Sequence, residues 1–282
     1  MLQPAVSVVV PARNEAATVA GVVRGVLAGG DARVVEVLVV DDGSTDGTAA
    51  VAAGAGAVVV AADATGRGKG QAMWKGVAEC VGDVIVFCDA DLDPFDPAYV
   101  RGLVDALVAR PGAAMAKARY RSRTGTGGRV NELVARPILD LLHPALAHVA
   151  QPLGGEYAAW RGVLEQVPFV HGYGVDLGLL LDVAAGCGPT AIVEADLGDR
   201  SHRNRPLDEL RPQARVVLEV AMHRAGLLDH PLPQCPPWRS VPGYVRRAAS
   251  GASGSIGAGV GRPEFSGRAA TSCTTPSSPR SG

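Results

Sequence analysis

The sequence predicts an α/β fold: a mostly parallel sheet in a nucleotide-binding first half, joined to a smaller second half in one unit. Three observations lead there. Short runs rich in valine at 6–10, 34–40 and 84–88 alternate with segments of helical periodicity, the pattern of βαβ units. Each run ends in a segment that carries at least one carboxylate: Pro11-Ala12-Arg13-Asn14-Glu15, Asp41-Asp42-Gly43-Ser44 and Asp89-Ala90-Asp91. The 282 residues are ample for one domain with a large core and too few for more than two, and with 47% hydrophobic but only 4% aromatic residues, Ala, Val and Leu must fill that core.

In chain order, residues 6–10 form a buried strand closed by Pro11. Ala12-Arg13-Asn14-Glu15 opens a helix to about Ala28, in which Val19, Val22, Val23, Val26 and Leu27 recur at helical spacing. The strand at 34–40 leads through Asp41-Asp42-Gly43 to a helix that Ser44 or Thr45 can cap. A third strand at 57–61 precedes the glycine-rich Thr65-Gly66-Arg67-Gly68-Lys69-Gly70 and a helix at 71–80. The run from Val84, with no polar residue before Asp89, reads as a central strand buried on both faces. Past Pro97 come a helix to about Ala109 and a strand at 113–118 that completes the sheet's edge. Arg119, Arg121 and Arg123 then read as a mobile, solvated loop. A helix at 129–142 is apolar at Val130, Leu133, Val134, Ile138 and Leu141. Further helices at 177–185 and 207–225 flank a strand at 191–195. From residue 231 the chain turns to Pro, Gly, Ser, Ala and Arg, which bury too little to offset the entropy of ordering, so 231–282 reads as a disordered tail.

With 27 basic and 28 acidic side chains, no global field draws the chain to nucleic acid or an anionic membrane. No run reaches transmembrane length, and the start lacks the pattern of a signal peptide. Five scattered cysteines show no paired metal-ligand spacing and suit a reduced cytoplasm.

Ligands of such sheets lie beyond the carboxyl ends of the strands. Carboxylates at two adjacent ends, Glu15 and Asp42, can accept from a base imide and from ribose hydroxyls, as a uridine-type nucleotide requires. Asp89 and Asp91, separated by one residue, point the same way if the chain stays extended, and hard oxygen donors so placed suit a divalent cation bridging phosphates. The basic, glycine-rich Gly128-Arg129 at a helix start suits a phosphate.

This order of elements resembles the nucleotide-sugar glycosyltransferases of the GT-A fold, whose Asp-x-Asp motif matches Asp89-Ala90-Asp91. The match tightens over about 6–226 through Gly68-Lys69-Gly70-Gln71-Ala72-Met73-Trp74, Gly127-Gly128-Arg129-Val130, Gln151-Pro152-Leu153-Gly154-Gly155-Glu156-Tyr157, Gly172-Tyr173-Gly174-Val175-Asp176 and His202-Arg203-Asn204-Arg205-Pro206. These look like the actinobacterial glucosyl-3-phosphoglycerate synthase family. The resemblance implies retaining transfer of glucose from UDP-glucose to the 2-hydroxyl of 3-phosphoglycerate, with Mg2+ or Mn2+. It also implies a cytoplasmic homodimer whose product enters glucosylglycerate and methylglucose lipopolysaccharide synthesis. On that reading, residues 1–118 bind the nucleotide sugar and 119–230 the acceptor.

Carried over position by position, Pro11, Ala12, Arg13, Glu15, Asp42, Lys69, Ala90 and Arg200 would bind the donor. Asp89, Leu153 through its carbonyl, and Asp176 would border the donor sugar at the reacting centre. Gly128, Arg129, Asn131 and Asn204 would hold the acceptor, and Asp91 and His202 the metal. The family has threonine where Asn131 stands and glutamate where Asp176 stands. Asp176 can equally cap the helix that follows it. His143, His148 and His171 show no ligand spacing. The alternatives are mannosyl transfer from GDP-mannose on the same fold, and a sugar-nucleotide nucleotidyltransferase. The latter would want its glycine-rich loop directly after the first strand, where Pro11-Ala12-Arg13-Asn14 stands instead.

Overall fold

The computed structural model describes residues 3–62, 68–122, 128–200, 206–248 and Pro263. Its strands are β1 (Val6–Ala12), β2 (Val34–Asp41), β3 (Val58–Ala61), β4 (Val84–Phe87), β5 (Met115–Ser122), β6 (Tyr157–Trp160), β7 (Phe169–Val170), β8 (Ile192–Arg200) and β9 (Gln234–Cys235). Its α-helices are α1 (Val19–Ala28), α2 (Thr48–Gly54), α3 (Lys69–Glu79), α4 (Ala98–Ala109), α5 (Arg136–Leu142), α6 (Arg161–Leu164), α7 (Val175–Cys187) and α8 (Leu207–Arg224). The main sheet has seven strands in the order β3-β2-β1-β4-β6-β5-β8, and β7 pairs with β9 apart from it.

Strand alternation divides the core between the two faces. Val8, Val10, Val84 and Val86 pack with the apolar stripes of α1 and α4. Val9, Ile85 and Phe87 point the other way, toward α3, α5, α7 and α8. Both faces are therefore covered, which is why the strands read as unbroken apolar runs.

β6 is the one antiparallel member of the main sheet, pairing with β4 through Phe87↔Tyr157 and with β5 through Lys117↔Tyr157. Its direction has a functional consequence. An antiparallel strand must begin where its parallel neighbours end, so residues 151–157 arrive at the carboxyl-end rim and bring Leu153 with them. β5 and β8 run parallel to each other, so β8 also ends at that rim, with Arg200 as its last residue.

Several sequence expectations need correction. The strand near 113–118 is not the edge, because β6 intervenes between it and β4 while β8 lies outside it. Arg119 and Arg121 continue β5 and pair across to Asp196 and Asp199 of β8 at 3.0 and 3.4 Å; Arg123 lies outside the described residues. The first helix starts at Val19 rather than near Ala12, because Asn14 takes a left-handed φ of 56° that breaks helical geometry. The helix at 129–142 contains a π turn over Asn131–Ala135, just ahead of Pro137, whose missing N–H cannot close an ordinary turn. The extra residue rotates the face, leaving Leu133 and Leu141 exposed while Leu139 is buried.

The tail reading also fails for residues 231–248. Gln234–Cys235 pair with Phe169–Val170, and the Trp238 ring stacks on Trp74 of α3 at 3.7 Å. The two indoles each donate a hydrogen bond to a backbone carbonyl: Trp74 to Pro236 and Trp238 to Trp74, both at 2.8 Å. Low aromatic content makes two tryptophans easy to discount, yet their stacked pair helps fasten the strap, together with Tyr244 and Arg246 on Glu165 and Arg247 on Glu79.

Candidate active site

The rim encloses a cavity of about 310 Å³. Pro11, Ala12, Arg13 and Glu15 line it from the end of β1, Asp42 from the end of β2, and Asp89, Ala90 and Asp91 from the end of β4. Lys69, Leu153 and Asp176 complete the wall, with Gly172, Tyr173, Val130, Gln213 and Val217.

The loop after β1 is held by the loop after β2. The Asn14 side-chain oxygen accepts from the Thr45 amide at 2.9 Å, and the Asn14 amide donates to the Ser44 hydroxyl at 3.0 Å. Ser44 and Thr45 are thus spent on Asn14 rather than on capping α2. Asp46 accepts from both the amide and the hydroxyl of Thr48 at the start of that helix. Arg13 reaches Asp42 at 3.8 Å but stays half exposed, so that pair contributes little to stability and leaves the guanidinium available. Asp42 itself is buried.

Lys69 is the electrostatic centre. Its ammonium lies 2.8 Å from Asp89 and 2.9 Å from Asp176, on strand and helix ends far apart in the chain. Burial alone would discharge Lys69, but the two carboxylates reverse that and hold it protonated above its ordinary range. Burial works on Asp176 in the opposite sense, raising its carboxyl against the pull of Lys69 and Lys117. Tyr157 donates its hydroxyl to Asp176 at 3.3 Å. Asp176 lies inside the first turn of α7 with its carboxylate turned to Lys69 and Tyr157, so the capping alternative does not hold.

Two glycines make this meeting possible. A Cβ on Gly70 would lie 1.9 Å from the Val170 carbonyl, so only glycine lets the first turn of α3 rest on β7 and carry Lys69 to Asp176. A Cβ on Gly155 would lie 2.3 Å from Asp89 Oδ2. The glycine-rich motifs therefore serve close packing around charged groups.

Of the donor-side residues expected from sequence, ten line the cavity, and Arg200 ends β8 on the same rim. Asp91 lines it with an exposed carboxylate. Gly128 and Arg129 are half-buried next to Val130. Asn131 is buried: its amide donates to the Ala150 carbonyl at 3.1 Å, and its oxygen accepts from the Leu153 amide at 3.5 Å. It braces the segment carrying Leu153, which is a different task from contacting an acceptor. His202 and Asn204 lie outside the described residues. Among the described residues no group of His, Cys, Asp and Glu assembles a complete metal site.

Sequence reasoning missed Lys117, which is fully buried on β5 and donates to the Gly154 carbonyl at 2.5 Å. A lone lysine at an inward position of the run Met115-Ala116-Lys117-Ala118 was the available signal. Gln213 and Val217 of α8 carried none.

Comparison with known proteins places this geometry. The model of the family "Glycosyl transferase family 2" matches residues 7–172. Glucosyl-3-phosphoglycerate synthase of Mycobacterium tuberculosis (strain CDC 1551 / Oshkosh) is 43% identical over 242 residues, covering 79% of this chain and 74% of the relative. The same enzyme of Mycolicibacterium smegmatis is 44% identical over 240 residues, covering 79% and 78%. A crystal structure of the M. tuberculosis enzyme with Mn2+, UDP-glucose and phosphoglyceric acid superposes with a TM-score of 0.78 at 41% identity, over 84% of this chain and 90% of that one. Another, with Mn2+, UDP and glucosyl-3-phosphoglycerate, also gives 0.78 at 41% identity, over 84% and 91%. No described helix is long and apolar enough to cross a membrane.

Proposed function

This chain belongs to glycosyl transferase family 2, and from that premise we propose that it transfers glucose from UDP-glucose to 3-phosphoglycerate with the help of a divalent cation. The observation that carries the reading is the cavity itself, where strand-end carboxylates of β1, β2 and β4 meet Lys69 and Asp176. The M. tuberculosis enzyme holds Mn2+, UDP-glucose and phosphoglyceric acid together in its crystal structure.

A hard cation fits here, because Asp91 offers an exposed carboxylate to the cavity and carboxylate oxygens suit Mg2+ or Mn2+. Asp91 and His202 are the proposed ligands. When bound, the cation neutralises charge growing on the leaving diphosphate. Pro11, Ala12, Arg13, Glu15 and Asp42 hold the uridine. Lys69 bonds both Asp89 and Asp176 and holds the two carboxylates beside the sugar. Gly128 and Arg129, with Asn204, face the acceptor's phosphate and carboxylate.

The transfer is proposed as retaining. Asp176 is already bound to Lys69 and Tyr157, which suits a hydrogen-bonding partner of the sugar better than a nucleophile. The bond from the anomeric carbon to the diphosphate breaks, the bond to the acceptor 2-hydroxyl oxygen forms on the same face, and the hydroxyl proton passes to the diphosphate. Leu153 contributes its carbonyl beside that carbon. The protein acts in the cytoplasm as a homodimer, and its product enters glucosylglycerate and methylglucose lipopolysaccharide synthesis.

The test is UDP release with Mg2+ and UDP-glucose, with and without 3-phosphoglycerate. Acceptor-dependent release is expected, giving an α-linked product by NMR. No dependence on acceptor, together with activity on GDP-mannose, would overturn the assignment.

A further inference from the structure

Lys117 is buried against a carbonyl and a ring: its ammonium meets the Gly154 oxygen at 2.5 Å and sits 4.3 Å from the centroid of Tyr157. Methionine would fill the same space without the penalty of a desolvated charge. The lysine therefore invites a role beyond packing, and its two partners point to one. Gly154 lies between Leu153, in the cavity wall, and Gly155, which packs on the Asp89 carboxylate with no room for a Cβ. Tyr157 donates to Asp176.

We propose that Lys117 is a positioning residue for sugar transfer, fixing segment 153–155 and the Tyr157 ring so that Leu153, Asp89 and Asp176 face the donor sugar. It does not line the cavity and touches no substrate. Its cation also adds to the field of Lys69 at Asp176, whose carboxylate both ammonium groups favour. This inference rests on the donor assignment made above, but not on the acceptor.

Two variants test it. Lys117→Met keeps length and removes the donor; Tyr157→Phe keeps the ring and removes only the hydroxyl. UDP and UDP-glucose are titrated calorimetrically into each with Mn2+, since both ligands share the uridine contacts and only one carries the sugar. UDP affinity should stay within about twofold of wild type, while UDP-glucose affinity falls about tenfold or more in Lys117→Met and less in Tyr157→Phe. The same variants should lose kcat with little change in KM for the acceptor. Equal loss of both ligands, or no loss of either, overturns the role of Lys117; the same comparison on Lys117→Leu, which also removes the donor to Gly154, decides the matter if Lys117→Met does not fold. Wild-type protein that binds UDP but not UDP-glucose overturns the donor assignment instead.

Discussion

Lys69→Met is the sharpest perturbation available, because it removes the ammonium that bonds both Asp89 and Asp176 directly. Removing one member of a buried ion pair typically costs roughly 3–5 kcal/mol, through the charge left behind. Here the two carboxylates differ: Asp176 keeps 6% side-chain exposure and Asp89 keeps 29%, so water can rescue the second far better than the first. The expected loss is therefore at the low end, about 3 kcal/mol, most of it at Asp176. It should also depend on pH. Without Lys69, burial leaves the Asp176 carboxyl above its unfolded range, so the folded state gains from protonation and the deficit shrinks as pH falls from 7 toward 5. Adding Asp176→Asn to Lys69→Met should recover much of the loss at neutral pH. Urea denaturation followed by tryptophan fluorescence measures all three proteins without nucleotide. A deficit below about 1 kcal/mol, typical of an exposed pair, or one that is flat in pH and unrelieved by Asp176→Asn, would refute the account of this triad.

Four further outcomes are expected. Gly155→Ala should displace Asp89, costing about 1–3 kcal/mol as overpacking does and lowering turnover of UDP-glucose more than binding of UDP; kinetics and melting on one preparation check it. Trp238→Ala should cost about 3 kcal/mol, seen as a lower urea midpoint, because the strap loses its stacking on Trp74. Lys117 is pushed down to about 8 by burial from an ordinary 10.5, so the unfolded chain binds more protons between those values and stability should rise there with pH, by roughly 3 kcal/mol relative to Lys117→Met. Arg129→Ala should weaken use of 3-phosphoglycerate more than binding of UDP; equal losses would move that arginine to the donor side.

The first half of the fold was legible because its βαβ units are local: each strand, turn and helix is written in consecutive residues with the periods of 2 and 3.6. The acidic strand ends were legible for the same reason, since sheet topology alone delivers Glu15, Asp42 and Asp89 to one rim. β6 was not, because Tyr157-Ala158-Ala159-Trp160 is short, and its place between β4 and β5 depends on pairings with residues distant in the chain. The task of Asn131 was hidden similarly: asparagine beside a glycine-rich turn suggests a ligand contact, whereas the π turn sends its amide inward to Ala150 and Leu153. The composition of the tail concealed a strap, since average hydrophobicity cannot register a single indole pair meeting across 164 positions. Lys117 broke the apolar pattern of its strand, and that break marked the support beneath the site.

A crystal structure of this protein with Mn2+, UDP-glucose and 3-phosphoglycerate tests the central claim most directly. The account predicts uridine against Pro11–Glu15 and Asp42, the glucose ring beside Asp176 and the Leu153 carbonyl, and the diphosphate at Asp91. Nucleotide bound away from the ends of β1, β2 and β4, or glucose turned away from Asp176, would contradict it.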